Sequence, residues 1–167
     1  YNYETFGDSL YTEATFECGE YFFETIGVRF KGNSSYNSYP GLKKSFKLDI
    51  NEFVSGQKID GIDKFNLNNI FKDPSYVREI CHWEIYRDLN QPYLRFNYAN
   101  VYVNDELLGL YLLGETINSE FLESRFGPGE NGTMFKGDPH GSLQWFGSDE
   151  TAYYEHYELE NNEEDAD

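Results

Sequence analysis

Segments in which apolar and polar residues alternate constrain the fold of this chain more than any other feature. Such alternation places successive side chains on opposite faces of a strand. It runs through residues 42–50. Residues 96–103 and 107–113, with the turn residues between them, predict a hairpin. Aromatic and alternating segments before residue 31 also predict strands, so a mainly antiparallel sheet is expected.

One long helix is expected among these strands. Asp73 is a suitable cap for a helix that has Pro74 at its first position, because the missing proline N–H would be unpaired there anyway. Four apolar residues follow at helical spacing and predict a stripe packed against the sheet: Val77, Ile80, Cys81 and Ile85. Glu84 falls within this stripe and would need a partner there, whereas Glu79 points to the opposite side.

A basic segment contrasts with the acidic composition of the chain. The 167 residues carry 30 acidic and 13 basic side chains, a formal net charge of -17, which argues against a nucleic-acid partner. Residues 29–47 nevertheless contain only basic charges: Arg29, Lys31, Lys43, Lys44 and Lys47. With backbone N–H groups near Gly32 and Ser34, this segment predicts a pocket for a small anion. The alternative is an exposed strand face beside a flexible turn.

The sequence contains no recognisable zinc motif and no membrane-spanning segment. Cys18 and Cys81 are far apart, and no histidine lies at ligand spacing, so no metal site is expected. Cys81 is most simply a buried small hydrophobic residue, with a disulfide to Cys18 as the alternative. No stretch approaches the roughly 20 apolar residues of a membrane span.

The predicted elements follow the order found in the amino-terminal lobe of a protein kinase. In that lobe a strand lysine holds the nucleotide phosphates and a helix glutamate orients the lysine. Lys44 shares the apolar side of the 42–50 strand, so periodicity assigns Lys44 and Glu84 to these two roles. The His-Arg-Asp and Asp-Phe-Gly signatures do not occur in the chain, which excludes a conventional protein kinase.

Six segments in a fixed order resemble the spore coat protein CotH family, whose members have an atypical protein-kinase-like fold. The segments read VRFKGNSS, KKSFKL, DGIDKFNLN, DPSYVRE, VYVNDELLGLYLLGE and MFKGD. The resemblance implies an α+β fold: a kinase-like amino-terminal lobe with a mainly antiparallel sheet and one packed helix, plus the start of the second lobe. It also implies phosphate transfer from ATP, with Mg²⁺ or Mn²⁺, to Ser or Thr of a protein on a spore or cell surface.

The basic segment and the resemblance together give seven expected nucleotide-binding residues. They are Arg29, Ser34, Lys43, Lys44, Arg78, Glu84 and Glu115. Arg78 matches the family's helix motif, although it could equally serve helix packing. Glu115 resembles the family's connector glutamate, with a solvated turn residue as the alternative. No catalytic residue and no metal ligand is assigned, because family members carry their catalytic and metal-binding acidic residues beyond the point where this sequence stops.

The expected organisation is a CotH-like region over residues 1–148 and an acidic, solvated segment over 149–167. The 167 residues alone are expected to be inactive, and the resemblance suggests an extracellular or cell-surface location. The main alternative function is a non-catalytic adhesion module that binds carbohydrate or protein, since sugar binding uses aromatic faces with acidic or amide hydrogen-bonding groups, and the chain has many of both.

Overall fold

The computed structural model describes residues 10–129, 132–137 and 141–160, apart from the side chains of Asn33 and Ser34. The chain divides into two compact units, Tyr1–Phe121 and Leu122–Asp167. A six-stranded sheet lies in the first unit and a two-stranded sheet in the second. The fold is therefore α+β, as the sequence predicts.

The first unit contains, among its described residues, six strands and two complete helices. The strands are β1 (Thr12–Cys18), β2 (Tyr21–Phe30), β3 (Phe46–Asp49), β4 (Lys64–Asn68), β5 (Phe96–Val103) and β6 (Glu106–Glu115). The helices are α1 (Asn33–Ser38) and α2 (Arg78–Asp88). A third helix, α3 (Ser119–Phe126), spans the division between the two units.

The strands of the large sheet lie in the order β1-β2-β3-β4-β6-β5, and every neighbouring pair is antiparallel. The predicted hairpin of β5 and β6 is confirmed. Its turn residues Asn104 and Asp105 have φ angles of 50° and 65°. These left-handed conformations suit Asn and Asp and match the twist of a tight hairpin.

The two faces of the large sheet differ in polarity because the side chains alternate along each strand. One face holds the core, which contains Ile26, Leu48, Ile50, Phe65, Leu67 and Tyr111. The opposite face carries a polar row in which Arg29 pairs with Lys47 and Lys47 pairs with Asn66 on the next strand. The candidate site lies where this polar face continues past the end of β2.

Residues 42–50 were expected to form one strand, but β3 begins only at Phe46. Leu42 is 87% exposed, so it adds nothing to the core face. The preceding loop is held by Asn69, whose side-chain amide donates to the Lys43 carbonyl at 2.8 Å. The backbone N–H of Asn69 donates to Ser45 Oγ at 3.0 Å. A short helix, α1, lies before this loop.

The predicted helix exists, but its start and its buried stripe are wrong. Helix α2 begins at Arg78 because Asp73 Oδ2 accepts from the Arg78 N–H at 2.9 Å, after a left-handed Tyr76 with φ of 63°. All residues of α2 are described and none is buried. Ile85 is 57% exposed, and Cys81 is exposed and free, as is Cys18. The helix contacts the sheet through Trp83, which stacks on Phe96 of β5 at 6.1 Å between ring centroids.

The second unit contains a small antiparallel sheet of β7 (Phe135–Lys136) and β8 (Glu158–Leu159). Lys136 pairs with Glu158 at 3.0 Å and with Glu160 at 3.3 Å, so part of the acidic segment is tied to this sheet. Residues 161–167 lie outside the described part. The division of the chain at residues 148 and 149 stays a prediction. No described helix has the length and apolar character needed to cross a membrane.

Candidate functional site

A cavity of about 410 Å³ lies beside the ends of β2 and β4 and the start of α2. Alternation along the strands brings two of its side chains to the polar face, since Lys31 follows Arg29 by two residues and Asn68 follows Asn66 by two. The charged and amide side chains that line it include Lys31, Asn68, Asn69, Lys72, Asp73, Arg78 and Glu79. The cavity therefore joins part of the basic segment to the first turn of α2.

Three of these side chains form a hydrogen-bonded series. Lys31 Nζ donates to Asn68 Oδ1 at 3.0 Å. Asn68 Nδ2 donates to the two carboxylate oxygens of Glu79 at 3.1 and 3.3 Å. Within the described residues no ion pair joins Lys31 directly to Glu79, so the amide of Asn68 separates an ammonium from a carboxylate.

Burial shifts both ionisable groups of this series towards their neutral forms. Burial lowers the pKa of Lys31 to about 8, an effect that Glu79 opposes and that Lys47 and Arg29 reinforce. Burial raises the pKa of Glu79, while the Asn68 hydrogen bond and the Lys31 charge act in the opposite direction. An anion that entered the cavity would favour the charged form of Lys31.

The segment from Ile70 to Tyr76 forms another wall of the cavity and has an unusual backbone. Ile70 has a φ of 56° and Tyr76 a φ of 63°. A left-handed conformation is a clear outlier for a β-branched residue such as Ile70, and strain of this kind clusters at ligand-binding sites. The N–H of Asp73 donates to the Ile70 carbonyl at 3.1 Å, which closes the turn.

The carboxylate of Asp73 fixes this segment to the start of α2. It accepts from the Ser75 hydroxyl and N–H and from the Arg78 N–H, and these hydrogen bonds lower its pKa, the Ser75 hydroxyl having the largest effect. Arg78 Nε lies 3.6 Å from Asp73 Oδ1. The ammonium of Lys72 lies over the Phe71 ring at 5.3 Å. Two further cations, Lys72 and Arg78, are thus held at the cavity beside Lys31.

Of the seven expected binding residues, Arg78 lines this cavity. Arg29 lies on the same side of β2 as Lys31, with its guanidinium 5.2 Å from the Tyr11 ring centroid. Ser34 belongs to α1, and its side chain lies outside the described part of the structure. The role of these three residues in nucleotide binding stays a prediction.

Lys43 and Lys44 contact tyrosines instead of the cavity. The Lys44 ammonium donates to the carbonyls of Tyr36 and Tyr39 at 2.6 and 2.5 Å. The Lys43 ammonium lies 5.0 Å from the Tyr76 ring and 5.1 Å from the Tyr111 ring. These contacts tie the loop before β3 to α1 and to the core.

The two expected glutamates lie elsewhere. Glu84 accepts two hydrogen bonds from Arg87, both at 2.7 Å, and lines a separate cavity of about 220 Å³. Glu115 is buried and accepts from the backbone N–H of Arg95 at 2.8 Å and from its guanidinium at 2.9 and 3.2 Å. Among the described residues no ion pair joins Lys44 to Glu84, because each group has other partners. That the two approach each other when a ligand binds stays a prediction.

Sequence reasoning missed two members of the series, Asn68 and Glu79. The segment Phe65-Asn66-Leu67-Asn68 alternates apolar and polar residues and would have predicted β4, but it lies within a stretch that reads as turn-rich. Glu79 was placed on the outer side of the helix because the expected apolar stripe gave the wrong orientation. Lys31 was part of the basic segment without being one of the seven expected residues.

Comparison with known proteins gives one match to a family. The sequence model of the family described as "CotH kinase protein" matches residues 28–167, a region that includes Lys31, Asn68, Arg78 and Glu79. No curated protein shows a significant match to the chain. In the described ranges no group of three or more His, Cys, Asp or Glu residues comes together as a metal site would require.

Proposed function

Because the chain belongs to the CotH kinase family, we propose that it forms the nucleotide-binding part of an atypical protein kinase. The phosphates of ATP enter the cavity beside β2, β4 and α2, and Lys31 binds them. The acceptor is Ser or Thr of a protein on a spore or cell surface, and an extracellular or cell-surface location belongs to the same proposal.

The observation that carries this proposal is the series of Lys31, Asn68 and Glu79 in a cavity that also holds Lys72 and Arg78. A lysine acts as a point charge for phosphate, and an arginine guanidinium can donate two parallel hydrogen bonds. The order of a strand, then α2, then a hairpin supports a kinase-like amino-terminal lobe in which a helix glutamate helps to orient a lysine. Here the lysine follows β2, and the glutamate is in the first turn of α2.

The kinase assignment also involves Mg²⁺ or Mn²⁺, which would enter with the nucleotide and reduce the charge on its phosphates. The described residues offer no cluster of metal ligands, so none of them is assigned to the metal. What they supply is a positive lining for phosphate and an ammonium that is held by its neighbours. In phosphoryl transfer, positioning and charge stabilisation provide most of the catalysis.

Lys31→Met tests this proposal because methionine keeps the apolar stem and removes the charge. We expect ATP affinity, measured by calorimetry in the presence of Mg²⁺, to fall about tenfold or more, the effect of losing a hydrogen bond from a charged group. Lys58→Met is the matched control, since Lys58 pairs with Glu120 at 3.6 Å and does not line the cavity. Because the 167 residues alone are expected to be inactive, ATP binding and not phosphate transfer is the quantity that tests the proposal.

Parent-like ATP affinity in Lys31→Met would reject the assignment of Lys31. If the parent binds no ATP when Mg²⁺ or Mn²⁺ is supplied, the kinase proposal is wrong and a non-catalytic binding module becomes the better description.

A further inference from the structure

Asn68 lies between the two ionisable groups of the cavity and contacts both. Its carbonyl oxygen accepts from the Lys31 ammonium, and its NH₂ group donates to the Glu79 carboxylate. The opposite orientation of the amide would turn NH₂ towards the ammonium and oxygen towards the carboxylate, so the two charged neighbours fix its direction. An amide can satisfy both groups in this way while keeping them apart.

We propose that Asn68 is a positioning residue for Lys31, which its amide holds away from Glu79 so that the ammonium stays directed to the phosphates of ATP. This inference rests on the proposed function. An ammonium has three N–H donors, and the bond to Asn68 uses one of them. The remaining donors are therefore available to an anion in the cavity.

The separation has a physical consequence because Lys31 and Glu79 carry opposite charges in a partly buried place. The attraction between two such charges is stronger in this place than it would be in water. Both side chains are long enough to move, so without the amide they would close into a direct ion pair. That pair would draw the ammonium towards α2 and away from the position in which Glu79 orients it through Asn68, which would weaken phosphate binding.

The protonation of Lys31 reports on this separation. The charged groups that act on its pKa are Arg29 on β2, Lys47 on β3 and Glu79 on α2. The two cations disfavour the ammonium and the carboxylate favours it. If Glu79 moved into direct contact, the balance would shift towards the ammonium, and the pKa of Lys31 would rise.

The first test uses Asn68→Leu, which removes the amide with little change in size, and Asn66→Leu as the matched control two residues along the same strand. Two quantities are measured on the intact chain: the pH midpoint of acylation at Lys31, followed by mass spectrometry, and the affinity for ATP. We expect Asn68→Leu to raise the midpoint by about one pH unit or more and to weaken ATP binding about tenfold. Asn66→Leu should leave both quantities at the parent values.

The second test adds Glu79→Gln to Asn68→Leu. Removing the carboxylate should release Lys31, so the midpoint should fall again and ATP affinity should recover from its value in Asn68→Leu. A purely structural role for Asn68 would not produce this recovery. Asn68→Ala, which also removes the amide without adding a charge, replaces Asn68→Leu if the leucine variant does not fold. It should raise the midpoint, with Asn66→Ala as its control.

A midpoint in Asn68→Leu that equals or lies below the parent value overturns the inference, even if ATP binding is weaker. For the alanine variant the overturning result is likewise a midpoint equal to or below that of the parent. A parent that binds no ATP overturns the proposed function, and the midpoints then decide by themselves whether Asn68 separates the two charges.

Discussion

Asp73 shows how a single carboxylate can shape the site through its hydrogen bonds to neighbouring residues. It is nearly buried, and both of its oxygens are used: Oδ1 accepts from Ser75 and Oδ2 accepts from the Arg78 N–H. The helix α2 starts where this second bond is made. Asp73 therefore determines where Arg78 and Glu79 stand relative to the cavity.

Asp73→Ala should lower the melting temperature by about 2–4 °C at pH 7, as expected for the loss of a helix-start carboxylate in a chain of this size. Hydrogen bonds lower the pKa of Asp73 in the folded state. Its stabilising effect is therefore present above the unfolded pKa and is lost as pH falls through the folded pKa. The difference in melting temperature between the parent and Asp73→Ala should become smaller as the pH is lowered through this range.

The control for this prediction is Asp88→Ala, which removes an exposed carboxylate at the end of α2. If the difference in melting temperature between the parent and Asp73→Ala stays constant down to the lowest pH, the ionised form of Asp73 does not stabilise the fold.

Helix α2 is attached to the large sheet by a few side chains. Trp83 stacks on Phe96, and the carboxylate of Glu79 accepts from Asn68, while Ile85 and Cys81 face solvent. Apolar spacing in the sequence correctly indicated a helix. The apolar spacing could not give the orientation of the helix. Aromatic and polar contacts attach the helix to the sheet, and it has no buried apolar stripe.

Substitutions in α2 should therefore have effects that the apolar pattern does not predict. Cys81→Asp places a charge at an exposed position and should change the free energy of unfolding by no more than about 0.5 kcal/mol. Trp83→Ala removes the stacked ring and should cost about 2 kcal/mol, less than for a fully buried tryptophan. Urea unfolding measures both values. Strong destabilisation by Cys81→Asp would mean that the exposed face of α2 is covered in solution.

Local signals explain which elements the sequence could predict. The hairpin of β5 and β6 depends on its own turn residues, so neighbouring residues were sufficient to predict it. Lys44 is different, because its direction depends on where β3 begins. That start depends on Asn69, whose amide and backbone bonds to residues 43 and 45 come from a distant part of the chain. The candidate cavity was likewise only partly predictable, since Lys31, Asn68 and Glu79 come from three separate elements.

At the scale of the whole molecule, charge is distributed unevenly. The chain has a formal net charge of -17, yet the polar face of the sheet carries Arg29 and Lys47 and leads to a cavity with three cations. The acidic groups outnumber the basic ones and repel one another, which destabilises the folded state. The cations at the cavity attract anions only over short distances because salt screens their charge.

Added salt should therefore stabilise the folded chain. Raising NaCl from about 0.01 M to 0.15 M shortens the Debye length from about 30 Å to about 8 Å, which screens repulsion among the acidic groups. We expect the melting temperature to rise by a few degrees over this range, and the measurement is a thermal scan followed by circular dichroism. A melting temperature that falls with salt would mean that the attractive pairs outweigh the overall repulsion.

The order of strands in the large sheet has a consequence for how the chain assembles in time. Strands β2, β3 and β4 pair with sequential neighbours, and β5 pairs with β6, but the pairing of β4 with β6 spans α2 and β5. Closing this longer loop has the greater entropic cost, so the β2–β4 strands and the β5–β6 hairpin form more readily than the pairing of β4 with β6. Lys31 and Asn68 both belong to the β2–β4 part of the sheet, whereas Glu79 lies in α2, between β4 and β5. The lysine and the amide can thus meet early, and the carboxylate joins them as the two halves of the sheet close.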